Sequence, residues 1–416
     1  MERQTNSNQS VHLSGDIKRA VLSLTAAALF NKEINIPADT DWAAVFSEIS
    51  KQGLVSLTYP VVQDLNIPAD TLKRWSDARD LYLMNNMKNV NAHFELHTIL
   101  SEAGIHYAIL KGVASGSCYP DLLTRAYGDV DFVVAKDSFD KASEVLSSKG
   151  FTFNRQSPNH IEYYKGGIEY ELHPRATKLI HNDRDPIIQE YFKDITFEAI
   201  PFEYNGKSCM IPCPRHQALS LLLHTVGHMS GTGVGLRHIC DWAVFAAKMS
   251  DEFFETEMQP ILKQTGLWTF TKILTALCTE HLGLRKFCFA DIDDTAYFDI
   301  FIDDIFSSGN FGTKKHRDSH PKRNYSMYSS RGHKKSRLLF LFKVFNTSAY
   351  YAFPVIEKRP YLKPAAWIYV GVRHAVRMLL GKRTMTYTKN LLTEDPAAKE
   401  LFEKWRLFEP EEDSRP

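Results

Sequence analysis

Tyr127-Gly128-Asp129-Val130-Asp131-Phe132-Val133-Val134 sets two aspartates, one residue apart, at the head of an apolar run. Phe132, Val133 and Val134 are strong strand formers, so the segment reads as a β-strand running into a core. Residues two apart on a strand point to the same face. Asp129 and Asp131 therefore aim two carboxylates at one point, which costs electrostatic energy unless a cation lies between them. Closely spaced oxygen donors suit Mg²⁺ or Mn²⁺ better than zinc. A lone Asp-x-Asp is a weak signal, because a solvated strand end has the same pattern; its neighbours give it meaning.

Upstream, Leu96, Ile99, Leu100 and Ala103 recur at helical spacing and Gly104 follows as a stop. A short apolar run, Tyr107-Ala108-Ile109-Leu110, then breaks at Lys111-Gly112 before the small residues Val113 to Ser117. Strand, glycine turn and helix start form an arrangement that can face a phosphate with backbone N–H groups, with the lysine adding full charge. Its plainer reading is an ordinary strand–helix turn. Downstream, Asp137 or Ser138 is placed to cap a helix with Phe139, Ala142 and Leu146 on its inner face. Ile161–Lys165 and Ile168–His173 flank Gly166-Gly167, a hairpin signature. On the second strand Glu169, Glu171 and His173 share a face, which delivers a third carboxylate on a strand that can lie beside the aspartates.

Leu110-Lys111-Gly112, Arg125 ahead of Gly128-Asp129-Val130-Asp131, and Glu171-Leu172-His173 together resemble the bacterial uncharacterised nucleotidyltransferase family, within the DNA polymerase β-like nucleotidyltransferase superfamily. The resemblance is firmest over residues 96–250 and continues through His224-x-x-x-His228 and Leu236 to Trp242. One departure is that Lys111-Gly112 replaces the superfamily's usual Gly-Gly or Gly-Ser. The resemblance implies an α+β fold with a polymerase β-like module, a small mixed sheet with flanking helices, set between helical regions. It also implies transfer of a nucleoside monophosphate from an NTP to a hydroxyl or phosphate acceptor, with pyrophosphate leaving. Asp129, Asp131 and Glu171 would hold two Mg²⁺ (or Mn²⁺) ions about 4 Å apart. Lys111, Gly112, Ser115, Arg125 and His173 would serve the nucleotide, with Arg125 either neutralising phosphate or bracing the aspartate strand. Alternatives on the same fold are phosphoryl or pyrophosphoryl transfer, toxin-like modification of RNA, and a non-catalytic nucleotide-binding regulator. Family membership leaves the acceptor open.

With 416 residues the chain has room for two or three domains. The boundaries read as a helical region 1–95, the catalytic module 96–200, a helical region 201–290 completing the cleft, and a mixed region 291–416. A net charge of +1 gives no global pull on nucleic acid or acidic lipid. Six scattered cysteines lack disulfide-scaffold density and zinc-ribbon spacing. The start of the chain has no signal-peptide core and no stretch is long and apolar enough to span a bilayer, so a cytoplasmic enzyme is the expectation.

Two further features stand out. His224 and His228 sit one helical turn apart, and His238 and Asp241 share a face of the next helix, so all four are candidates to line the cleft. A histidine pair can bind zinc, which makes a zinc hydrolase the competing enzyme, but the pair lacks the enclosed Glu of the zincin motif. Cys209 and Cys213 near His216 make a weaker case. The polar connector 309–337 carries nine basic residues between Lys314 and Arg337 against one acid, Asp318, with Tyr325 and Tyr328 interleaved. It reads as a solvated loop or as a contact for a polyanion. The aromatic and basic stretch 350–380 suits either a membrane surface or a helix packed on the catalytic core, and packing is the expected case.

Overall fold

A computed structural model describes residues 13–411 apart from 158, 178–183, 232, 294, 296, 310–319, 331–336, 357–358, 381–388 and 410. Four helices come first: α1 (Gly15–Phe30), α2 (Trp42–Gln52), α3 (Val55–Val62) and the long α4 (Ala69–Glu102). The sheet region follows as β1 (Tyr107–Ile109), a one-turn α5 (Val113–Gly116), β2 (Val130–Val134), α6 (Phe139–Ser148), β3 (Thr152–Gln156), β4 (Ile161–Lys165) and β5 (Ile168–His173). After α7 (Asp185–Tyr191) comes the hairpin β6 (Ile200–Tyr204) and β7 (Lys207–Ile211), turning at Asn205-Gly206. The rest is helical: α8 (Pro214–Ser230), α9 (Leu236–Ala247), α10 (Gln259–Thr265), α11 (Trp268–Leu282), α12 (Phe298–Ser308), α13 (His320–Ser329), α14 (Arg337–Ala352), α15 (Lys363–Leu379) and α16 (Pro396–Trp405).

The fold is mixed α+β, with one five-stranded sheet in the order β1-β2-β5-β4-β3. β2 runs antiparallel to β1 and parallel to β5, and the β4–β5 hairpin closes at Gly166-Gly167. Both of those glycines have positive φ, which the tight turn requires. All five residues of β2 are buried, as a central strand covered on both faces should be. Its apolar side chains Val130, Phe132 and Val134 join Leu96, Leu100, Ala142, Leu146, Tyr170 and Leu172 in one core. Neither Asp137 nor Ser138 caps α6 by its side chain; a turn of 3₁₀ helix over Lys136–Ser138 feeds it instead.

A second, larger core is helical. It joins α1–α3 to α8–α12 and is completed by Leu401, Phe402 and Trp405 of α16, so the far end of the chain is folded into its middle. This core holds one wall of the site, α8 and α9, against the sheet that holds the other.

Two expectations for the last region need correction. Part of the supposed solvated connector is the helix α13, which packs on α8 and α16. Arg323 on it is buried, with both Nη atoms on Asp304 at 2.8 and 2.9 Å and Nε donating to Met229 O at 2.6 Å. A guanidinium so engaged inside the protein is not part of a polyanion contact. Lys314, Lys315, Arg317, Arg331, Lys334 and Lys335 lie outside the described residues. Second, among the described residues the main packing of α14 and α15 is not on the sheet region where it was expected. They pack on each other through a small separate cluster, Ala349, Ile356 and Ala366, with Phe342 against Trp367.

Candidate active site

The parallel pairing of β2 with β5 sets Asp131 opposite Glu171, and Asp129 immediately precedes β2. Carboxylate oxygens of Asp129, Asp131 and Glu171 all come within 4.8 Å of one another. Asp131 is fully buried, and its Oδ1 accepts from Lys111 Nζ at 2.7 Å and from His173 Nε2 at 2.9 Å. Its Oδ2 is buried with no hydrogen-bond partner among the described residues. A buried, ionised oxygen without a donor is costly unless a cation meets it. Three hard oxygen donors and that orphaned atom fit a divalent cation of the Mg²⁺ type.

The electrostatics agree. The charge on Asp131 and then burial push the Asp129 carboxyl up to about 6, with Lys111 opposing them. Burial also works against charge on Asp131, but Lys111 and His173 outweigh it and hold that carboxyl well below its ordinary value. His173 is therefore a bridge between acids, 2.9 Å from Asp131 and 3.2 Å from Glu171, more than a nucleotide ligand. Burial disfavours its charge, yet the hydrogen bonds to those two carboxylates raise its pKa. His160, unnoticed in the sequence, stands behind Glu171 at 3.2 Å and contacts Glu162 at 2.9 Å. No local motif marks it, because it precedes its strand in a polar loop.

The turn after β1 is built around glycine. Gly112 has φ +55°, and a Cβ there would stand 2.2 Å from His93 Nε2. His93 is buried on α4, and its Nδ1 donates to Asn89 O at 2.7 Å. Burial lowers its pKa to about 4, so it is neutral. The helix that follows is a single turn, too short for the helix-dipole contribution expected from the sequence. Ser115 lines the cavity, whereas Ser117 Oγ donates back to Ala114 O at 2.8 Å.

Arg125 does not brace the aspartate strand. Its Nε and Nη2 each donate at 2.8 Å to the two oxygens of Asp241 on α9, which also accepts from Tyr119 OH at 2.8 Å. Arg237 lies 3.8 Å from the same carboxylate. All four side chains are buried. Burial opposes charge on Asp241, but Arg125 and Arg237 outweigh it and lower its pKa. The cluster clasps the sheet region to α9. Asp241 thus parts company with His238, which turns instead toward His224 and His228.

Between these walls lies a cavity of about 400 Å³. Lys111, Gly112, Ser115, Arg125, the three carboxylates and His173 line one side; Ser220, His224 and His228 of α8 with Arg237 and Asp241 of α9 line the other. Arg237 and Ser220 were not among the candidates; Arg237 had a signal, as a charge inside the apolar helix Leu236–Ala247. The three histidine rings have centroids 4.5 to 5.3 Å apart. Burial first, then Lys111 for His224 and Arg237 for His238, hold both of these imidazoles well below their ordinary pKa.

Comparison with curated proteins gives no match. A family model described as uncharacterised nucleotidyltransferase matches residues 38–283, well over half of the chain, and takes in both walls of the cavity. By that match the protein belongs to this nucleotidyltransferase family and is an enzyme of that class.

Proposed function

We propose that the protein transfers a nucleoside monophosphate from an NTP to a hydroxyl or phosphate acceptor, in a divalent-metal-dependent reaction on a polymerase β-like module. The observation that carries this reading is the convergence of Asp129, Asp131 and Glu171 around the orphaned Asp131 Oδ2, at the floor of a cavity within the family's matched region. Asp129, Asp131 and Glu171 would hold the metal. When bound, Mg²⁺ supplies charge compensation for the entering and leaving oxygens of the displacement. The protein's own groups do the rest. His173 fixes Asp131, and His173 and His160 each stand 3.2 Å from Glu171. Lys111 lines the cavity beside the Gly112 turn and Ser115, where its ammonium, seated on Asp131, would meet the triphosphate. Arg125 positions α9 through Asp241 and is not a phosphate ligand in this reading.

The test is incubation of the full-length protein with each labelled NTP, Mg²⁺ or Mn²⁺, and fractionated acceptors. Label transferred to an acceptor with release of pyrophosphate, abolished by chelation and by Asp131→Asn, is the expected result. Release of phosphate alone, or transfer that survives Asp131→Asn, would overturn the reading.

A further inference from the structure

The geometry points to a second metal site on the opposite wall of the cavity, in which His224, His228 and His238 bind one divalent transition-metal ion of the zinc class. This stands apart from the nucleotidyl-transfer reading, since it uses none of the carboxylates. One ring nitrogen from each histidine lies within 4.8 Å of the other two. In a tetrahedral site with Zn–N bonds of about 2.0–2.1 Å the ligand nitrogens are roughly 3.3 Å apart, so side-chain rotations of an ångström or so close the set. His224 and His228 come from one face of α8, one turn apart, and His238 from the first turn of α9.

The tautomer of His238 suits the role. Its Nδ1 lies 3.4 Å from Gly235 O, and a carbonyl can only accept, so Nδ1 carries the proton and Nε2 the lone pair. A backbone carbonyl holding the far nitrogen is the usual support for a metal-binding imidazole. Imidazole donors select zinc, cobalt, nickel or copper over Mg²⁺, so the two sites take different ions from one solution. Three protein ligands leave a coordination position, and His224 and His228 both line the cavity.

The test uses chelator-stripped full-length protein titrated with Co²⁺ and Zn²⁺ in excess Mg²⁺. One equivalent of Co²⁺ with the visible absorption of a tetrahedral nitrogen site, displaced by Zn²⁺, is expected for wild type and equally for Asp131→Asn. His228→Ala and the milder His228→Gln, at a half-buried position, should weaken binding beyond the roughly tenfold to hundredfold that loss of a supporting hydrogen bond costs. Absence of stoichiometric binding, or binding lost in Asp131→Asn and kept in His228→Gln, would overturn the site. So would a His228→Gln protein that binds metal normally but loses affinity for pyrophosphate, which would make the histidines anion donors.

We also infer, from the outer faces of α14 and α15, that this helix pair rests on an anionic lipid surface. Leu338 and Leu339 on α14, and Ile368, Val372 and Val376 at helical spacing on α15, are exposed, Leu338 by 75 % and Ile368 by 70 %. The two helices contain no Asp or Glu and five cationic residues: Arg337, Lys343, Lys363, Arg373 and Arg377. Exposed apolar side chains on helices whose only charged residues are basic match the chemistry of an anionic interface. No helix among the described residues is long and apolar enough to cross a membrane, so the contact is superficial. The test is flotation with vesicles of phosphatidylcholine alone or mixed with phosphatidylserine. Binding to the mixed vesicles only, reduced by salt and lost in Ile368→Glu/Val372→Glu, is expected. No flotation with either lipid, equal flotation of the variant, or a solution dimer split by the same substitutions would overturn it, the last by assigning these side chains to a second copy.

Discussion

Asp129→Asn should stabilise the metal-free protein at neutral pH while abolishing turnover. Asp129 is partly buried beside the ionised Asp131, and that repulsion, then burial, raises its carboxyl from an ordinary 3.8 to about 6. For an acid with a raised folded-state pKa, the folded protein holds its proton longer than the unfolded chain does. Its favourable contribution is therefore present at low pH and is lost as pH rises from about 4 through 6. Above that it is a constant penalty. At 1.36 kcal/mol per pH unit the interval corresponds to about 3 kcal/mol, a ceiling reduced by the solvent that reaches the group. Asparagine keeps the shape and cannot ionise, so the variant should gain about 1–3 kcal/mol at pH 7.5 and roughly a third of that at pH 4.5. Urea denaturation of both proteins in chelator at the two pH values measures this. Saturating Mg²⁺ should then favour wild type, because only its folded state has the full ligand set. An Asp129→Asn protein less stable than wild type at pH 7.5, or one with the same advantage at both pH values, would refute the reasoning.

Glu171→Gln should lower turnover on the order of a thousandfold, about 4 kcal/mol in the barrier, whereas Glu169→Gln, whose partner is the Tyr164 hydroxyl, should stay within about twofold; steady-state rates with the labelled NTP decide. Asp241→Asn should cost more stability than Arg125→Gln: loss of the acid leaves Arg125 and Arg237 facing each other unneutralised, while loss of Arg125 leaves Arg237 and Tyr119 on Asp241. About 5 against about 3 kcal/mol in chemical denaturation is the expected order, and the reverse ranking would contradict the clasp. Arg323→Gln should lower thermal stability, equivalent to about 3 kcal/mol, and leave the salt dependence of acceptor KM unchanged.

The strand frame of the candidate site was legible because short-range rules specify it. Period-two alternation placed Asp129 with Asp131 and Glu169 with Glu171 and His173, and Gly166-Gly167 fixed the hairpin register that brings Glu171 to the site. What stayed hidden depends on partners far apart in sequence. Arg125 and Asp241 are 116 residues apart, and nothing local tells a guanidinium whether its carboxylate is on the next strand or on a distant helix. Arg323 illustrates the same limit: a basic residue in a polar stretch reads as solvated until Asp304 appears beside it. The aromatic and basic composition of 350–380 allowed either a membrane surface or a packed helix, and composition does not say which way an apolar face turns. The i,i+4 pair His224/His228 was visible, while the arrival of His238 depended on how α9 crosses α8.

The in-register pairing of Asp131 with Glu171 has a consequence for how this site can vary. The separation of the two side chains is set by the spacing of hydrogen-bonded strands, roughly 4.8 Å, and so by backbone geometry rather than by any side chain. Substitutions around the cavity can change what is recognised without altering that separation. An insertion or deletion of one residue in β5 ahead of Glu171 would reverse every side chain beyond it, burying Glu171 and turning Leu172 to the cavity side. Length changes in this enzyme are thus confined to its loops and to the helical wall, and diversification of substrates must come from there.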